Sequence, residues 1–187
     1  MEGEIVKKVK SFVEKECKKP TSKYGEEPFT FHFSEVAKYA LQLAEKHPEA
    51  DKEVIEIAAW LHDIGSIIHG RENHHLIGAE IAEKKLLELN YPLEKINLIK
   101  KCISHHRESI ESKRESIEEQ LLAEADALSN FDNLSGIFKA AFIFENKTQG
   151  EAKISVRAKL EGCYNKLSSD AQKIIKPKYD AVNLLLK

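Results

Sequence analysis

Long apolar runs are missing from this chain of 187 residues. None approaches the roughly 18 residues that a membrane-spanning helix needs, so no membrane association of that kind is expected. The stretch Met1-Glu2-Gly3-Glu4-Ile5 is charged and lacks a signal-peptide core, which points to a cytoplasmic location. Cysteine is scarce. Cys17, Cys102 and Cys163 lie far apart, form no CxxC, and read as reduced core residues. An excess of either charge is absent too: 29 Lys and Arg stand against 31 Asp and Glu. No basic field therefore calls for polymeric nucleic acid. Five prolines, eight glycines and little alternation of polar with apolar residues leave few signals for a sheet, so the fold class is all-α. There is no nucleophile elbow, no glycine-rich phosphate loop, no internal repeat, and no linker long enough to split the chain. A single domain over residues 1–187 is expected.

What the chain does have is helical periodicity. Ile5, Val9, Phe12 and Val13 mark an amphipathic helix over residues 3–18, followed by a loop from Pro20 to Thr30. A helix from about Phe31 aligns His32, Val36, Ala40 and Leu43 on one stripe, so His32 faces the core. Asp51 can cap the next helix, in which Ile55, Ala58, Ala59 and His62 share a face. Asp63 lies four residues after Ala59 and also points inward, and Gly65 sits where that helix should stop. A polar loop, Ser66 to Asn73, leads to a helix opened by His74-His75 and ended by Asn90-Tyr91-Pro92. Residues 93–106 form another helix. There Ile96, Ile99, Ile103 and His106 line one stripe, and Leu98, Cys102 and His105 the neighbouring one. A charged loop from Arg107 to Glu115 precedes Ser116-Ile117-Glu118-Glu119, a capping box. The helix it starts places Leu122, Ala125, Asp126 and Ser129 on one face. Three further helices, about 134–146, 151–167 and 170–186, carry packing stripes, with Ser169 to Gln172 as another capping box. Apolar positions on these C-terminal helices suit either ordinary packing or a homodimer.

An imidazole and a carboxylate side by side at a buried helix end are costly unless a cation lies between them. A divalent metal is the natural candidate for His62-Asp63, and Asp126 on an apolar stripe makes the same demand. The order His32, His62-Asp63, His74, His105-His106, Asp126 resembles that of the HD superfamily of metal-dependent phosphohydrolases over about residues 30–131. Three stretches sharpen the likeness: His62-Asp63-Ile64-Gly65, the HDIG form; His74 to Ile81; and Leu122 to Leu128, like the closing aspartate helix.

The resemblance implies an HD-domain helical bundle with additional C-terminal helices over about 132–187. It implies His32, His62, Asp63 and Asp126 as ligands of a first metal. Asp63 would bridge to a second metal held by His74 and His105, with His106 a further ligand or a hydrogen-bonding or proton-transfer group. Asp63 and His106 are thus the catalytic candidates. Mixed imidazole and carboxylate donors suit one or two ions of Mn, Fe, Co, Ni or Zn. The implied reaction is hydrolysis of a phosphoester by metal-activated water, with Arg71 and Arg107 as candidates to neutralise phosphate charge. His62-Asp63 is followed by Ile64-Gly65-Ser66-Ile67 without the lysine of some phosphodiester-cleaving relatives. His105-His106 is followed by Arg107-Glu108-Ser109-Ile110 without a GYP signature. A small phosphorylated substrate, most naturally a nucleotide, is expected in place of cyclic-di-GMP. The same ligand set would serve a di-iron oxygenase, and a non-catalytic metal- or nucleotide-binding regulatory domain is the third reading.

Overall fold

The computed structural model describes residues 3–107 and 114–187, so most of the charged loop after Arg107 lies outside the described residues. Helices dominate both compact units of the chain, Met1–Asp126 and Ala127–Lys187, and no strand occurs among the described residues. The fold class is all-α.

The first unit begins with α1 (Glu4–Cys17), which buries Val6, Val9, Val13 and Cys17. A π-turn, Phe29–Phe33, then runs into α2 (Ser34–Ala44). His32 therefore sits on a widened turn ahead of the regular helix, a local geometry that recurs at functional sites. Asp51 caps α3 (Lys52–Leu61): its Oδ1 accepts from the Glu53 and Val54 amides, both at 3.1 Å, as its position before the apolar run predicts. Lys95 pairs with the same carboxylate at 2.8 Å. Along α3, Ile55, Ala58 and Ala59 are fully buried and His62 continues that face.

The structure corrects the expected stop at Gly65. The helix ends at Leu61, and after Asp63 a short α4 (Ile64–His69) occupies what the sequence suggested was loop. Gly65 is a contact point inside α4. A Cβ there would lie 2.2 Å from the His74 carbonyl oxygen and 2.8 Å from the Gly78 amide nitrogen. The missing side chain lets α5 (His74–Glu88) cross α4 backbone to backbone. α5 also packs on α6 (Leu93–His105), whose Ile96, Ile99 and Ile103 are fully buried. α7 (Ile117–Ser129) brings Glu118 to the start of α3, where it accepts from the Asp51 amide at 3.0 Å.

The second unit holds α8 (Leu134–Lys139), a π-turn Ala140–Phe144, α9 (Gln149–Lys166) and α10 (Ser169–Leu185). The expected cap at Ser169 is one residue late, since Ser168 accepts from the Ala171 amide. The full capping box belongs to Thr148 and Glu151. Tyr164 and Tyr179 stack with centroids 3.8 Å apart. All three cysteines are buried and none forms a disulfide.

Gly65→Ala forces two backbones apart at a ligand-bearing crossing. It should destabilise the protein by about 2–3 kcal/mol in urea denaturation. Gly162→Ala on α9 meets open space and should stabilise by about 0.5–1 kcal/mol. The Asp51 carboxyl provides an acid-range check. Burial works to raise its pKa, but the Lys95 bond and the two helix amides outweigh burial and hold it below the usual 3.8. Its contribution is present above that value and is lost as pH falls through the depressed folded-state value. Asp51→Asn should flatten this part of the acid limb in a stability–pH series.

Candidate metal centre

Asp63 lies between two groups of imidazoles. Its Oδ2 is 3.4 Å from His32 Nε2 and 3.9 Å from His62 Nε2. Its Oδ1 is 3.1 Å from His74 Nε2 and 3.6 Å from His106 Nε2. The Ser66 hydroxyl also donates to Oδ1, at 3.4 Å. The Asp126 Oδ1 stands 3.7 Å from His32 Nε2 and 3.8 Å from His62 Nε2, on the side of the first pair. Two sets of donor atoms suited to a metal result: His32, His62 and Asp63, and Asp63, His74 and His106.

Backbone carbonyls orient three of the rings. His62 Nδ1 donates to the Ala59 carbonyl at 2.8 Å, His74 Nδ1 to the Arg71 carbonyl at 2.8 Å, and His106 Nδ1 to the Ile103 carbonyl at 2.6 Å. A carbonyl only accepts, so each Nδ1 carries the proton and each neutral ring presents a bare Nε2 lone pair. Those of His74 and His106 point at the Asp63 carboxylate, and that of His62 faces His32 Nε2 at 3.0 Å. Without a cation or a proton between them, the lone pairs of His74 and His106 repel the carboxylate. Protonating every ring does not relieve it, because burial, reinforced by His32 and His106 against the opposing Asp63 and Asp126, pushes His62 down to about 4. Burial works to raise the Asp63 pKa, yet the surrounding imidazoles, His62 first and then His106, His32 and His74, favour the ionised carboxyl and hold it well below its usual range. Burial opposes charge on His106 as well, but Asp63 and Asp126 raise its pKa. Imidazoles whose second nitrogen is tied to a carbonyl, around a shared carboxylate, are a fitting donor set for divalent transition metals.

Of the expected site residues, the structure gathers His32, His62, Asp63, His74, His106 and Asp126. The correction falls on the His-His pair. His106 is the residue beside Asp63. His105 belongs to neither donor set, and its Nδ1 is 2.5 Å from Glu119 Oε2. The Ser116 capping box is correspondingly half formed. The Glu119 amide donates to Ser116 Oγ at 3.2 Å, but the Glu119 carboxylate meets His105. Arg71 holds His74 through its carbonyl, and its side chain is exposed. Arg107 lies within electrostatic range of His75. That ring's pKa falls to about 4 through burial first, then through His74, Arg107, His106 and His105.

Tyr24 went unnoticed in the sequence. The Lys23 amide donates to the Ile67 carbonyl at 2.9 Å, pinning this loop to α4. Burial raises the Tyr24 pKa, Arg71 opposes and Asp63 adds, so the phenol lies in the field of both. Only a lone loop tyrosine marked it. Glu119 was masked by its reading as a cap.

Comparison with known proteins bears on the family and the fold. The family profile described as HD domain matches residues 30–130. A crystal structure of an HD-superfamily hydrolase from Bacillus thuringiensis superposes with a TM-score of 0.73 at 19% identity, covering 98% of this chain and 93% of that one. A predicted HD superfamily hydrolase from an uncultured Thermotogales bacterium gives 0.55 at 20% identity, covering 91% of each chain. A tRNA (cytidine(56)-2'-O)-methyltransferase of Picrophilus torridus is 26% identical over 136 residues, which cover 67% of this chain and 38% of that protein's length. At these identities the two structures speak for the fold alone.

Elemental analysis of the purified protein should find about two metals per chain, falling to about one in either His74→Ala or His106→Ala. A ratio of one in all three proteins would remove the second site.

Proposed function

The chain belongs to the HD-domain family, and we propose that it is a metal-dependent phosphohydrolase acting on a small phosphoester, a nucleotide being the favoured class. The observation that carries the reading is the bridging position of Asp63, with imidazole lone pairs directed at both of its oxygens. His32, His62, Asp63 and Asp126 would hold one ion, and Asp63, His74 and His106 a second. Bound there, divalent metals supply Lewis acidity and a water of lowered pKa.

The chain's own part is positioning. Asp63 keeps its charge because the surrounding imidazoles favour the carboxylate form. The carbonyls of Ala59, Arg71 and Ile103 hold three rings in one tautomer, so little reorganisation accompanies loading. Arg107, which follows the His105-His106 end of α6, and Arg71, in the loop before His74, would meet phosphate oxygens. The chemistry of the donor set supports hydrolysis of a phosphoester, which has acceptor oxygens for these cations and an electrophilic phosphorus for activated water.

A panel of nucleoside mono-, di- and triphosphates with Mn or Co should reveal turnover that chelation abolishes and re-addition restores. Asp63→Asn should lower kcat by about a hundredfold or more. Oxygen uptake by iron-loaded protein with no phosphate release across the panel would overturn the reading in favour of oxidative chemistry.

A further inference from the structure

In the second unit a strongly apolar stretch is left outside. Residues 134–144, from Leu134 to Phe144, carry one charge, Lys139, and three phenylalanines, a composition suited to a core. Yet α8 buries none of its side chains, and the π-turn Ala140–Phe144 buries only Ala141. Phe142 is 43% exposed, Ile143 58% and Phe144 48%. Leu134, Ile137 and Phe138 are half-buried. Phe138 stacks on Phe142 with ring centroids 5.9 Å apart, so α8 and the turn share one surface. The backbone beneath it is fixed. The Glu145 amide donates to the Ala140 carbonyl at 3.1 Å and the Lys147 amide to the Ala141 carbonyl at 3.0 Å. The Thr148–Glu151 capping box starts α9 directly after. A rigid apolar surface loses little entropy when something covers it.

Area and charge indicate what covers it. At roughly 200 Å² for a large side chain in full exposure, Phe142, Ile143 and Phe144 together offer about 300 Å² of apolar surface, and the half-buried Leu134, Ile137 and Phe138 add to it. A standard interface buries about 800 Å² on each partner, a little over half of it non-polar. The segment therefore supplies the greater part of the apolar share of one such face. Its charges are self-complementary. Lys139 stands three residues before Phe142 and Glu145 three residues after it. With two segments antiparallel about a two-fold axis at Phe142, Lys139 of each copy would face Glu145 of the other. Lys147 already pairs with Glu145 at 2.5 Å, and a carboxylate has acceptor sites for a second cation. An anionic membrane surface is a poorer match, because Glu145 and Glu151 are exposed beside the aromatic residues.

We infer that the surface of α8 and its π-turn is a homodimer interface, in which a second copy of this chain packs antiparallel across Phe142, Ile143 and Phe144 and pairs Lys139 with Glu145. The inference stands apart from the hydrolytic reading, since none of the metal-site residues lies on this segment.

Sedimentation equilibrium of the full chain over a concentration series should give a monomer–dimer equilibrium with a Kd of about a micromolar or below. Ile143→Asp should raise that Kd by about a hundredfold. The urea midpoint of the dilute protein should not fall, because the side chain is already exposed in a single copy. Leu93→Asp, on an exposed leucine of α6, should leave the Kd at the wild-type value. Lys139→Glu and Glu145→Lys should each weaken self-association by about tenfold. An equimolar mixture of those two variants should recover it, because both contacts then join opposite charges. A monomer at every concentration, a dimer that Ile143→Asp leaves intact, or a mixture no tighter than either variant alone would each overturn the inference. A monomer destabilised by Ile143→Asp would mean that the chain covers the segment itself. A monomer that binds phosphatidylcholine–phosphatidylserine vesicles through Ile143 would mean a membrane surface. Both results overturn the homodimer. If Ile143→Asp does not fold, the two charge variants and their mixture decide it.

Discussion

Everything in the first unit is arranged around lone pairs that repel one another until a cation separates them. Nε2 atoms of His32, His62, His74 and His106 gather on the two oxygens of Asp63, and Asp126 closes the side of the first pair. In water such groups would part or take up protons. Here α3, α5 and α6 hold the groups together, and His62 is too deeply buried to take up a proton readily. The protein has put folding energy into a polar cluster that its apolar helices must support. That explains why the least tolerant packing, the glycine crossing of α4 and α5, lies directly beneath the ligands.

Much of this was legible in the sequence because the ligands continue helical stripes. His62 extends the Ile55–Ala58–Ala59 face, His106 extends that of Ile96, Ile99 and Ile103, and Asp126 interrupts an apolar face that nothing else would explain. Asp51 behaved as a cap because its position before an apolar run leaves it few alternatives. The all-α class followed from the same periodicity.

Three features were illegible for one shared reason, that each depends on a partner distant in sequence. Neighbouring residues on a helix point about 100° apart, so His105 and His106 both look inward until α7 brings Glu119 against one of them. Glu119 three residues after Ser116 has the spacing of a capping box, and only the tertiary alternative reveals that its carboxylate is engaged elsewhere. Gly65 has the local signature of a helix stop, whereas its use is to admit another backbone. The π-turn that carries His32 is likewise invisible to a periodicity of 3.6 residues.

The anchors of His62, His74 and His106 are main-chain oxygens, and every residue type possesses one. Drift at positions 59, 71 and 103 can therefore change the side chain without erasing the anchor, so the centre presents a small target to mutation. His105 is the exception, since its orientation hangs on a carboxylate that one nucleotide change can delete. In a lineage of such proteins the anchors of the three rings should be inherited almost passively, while the His105–Glu119 contact can be lost by a single substitution.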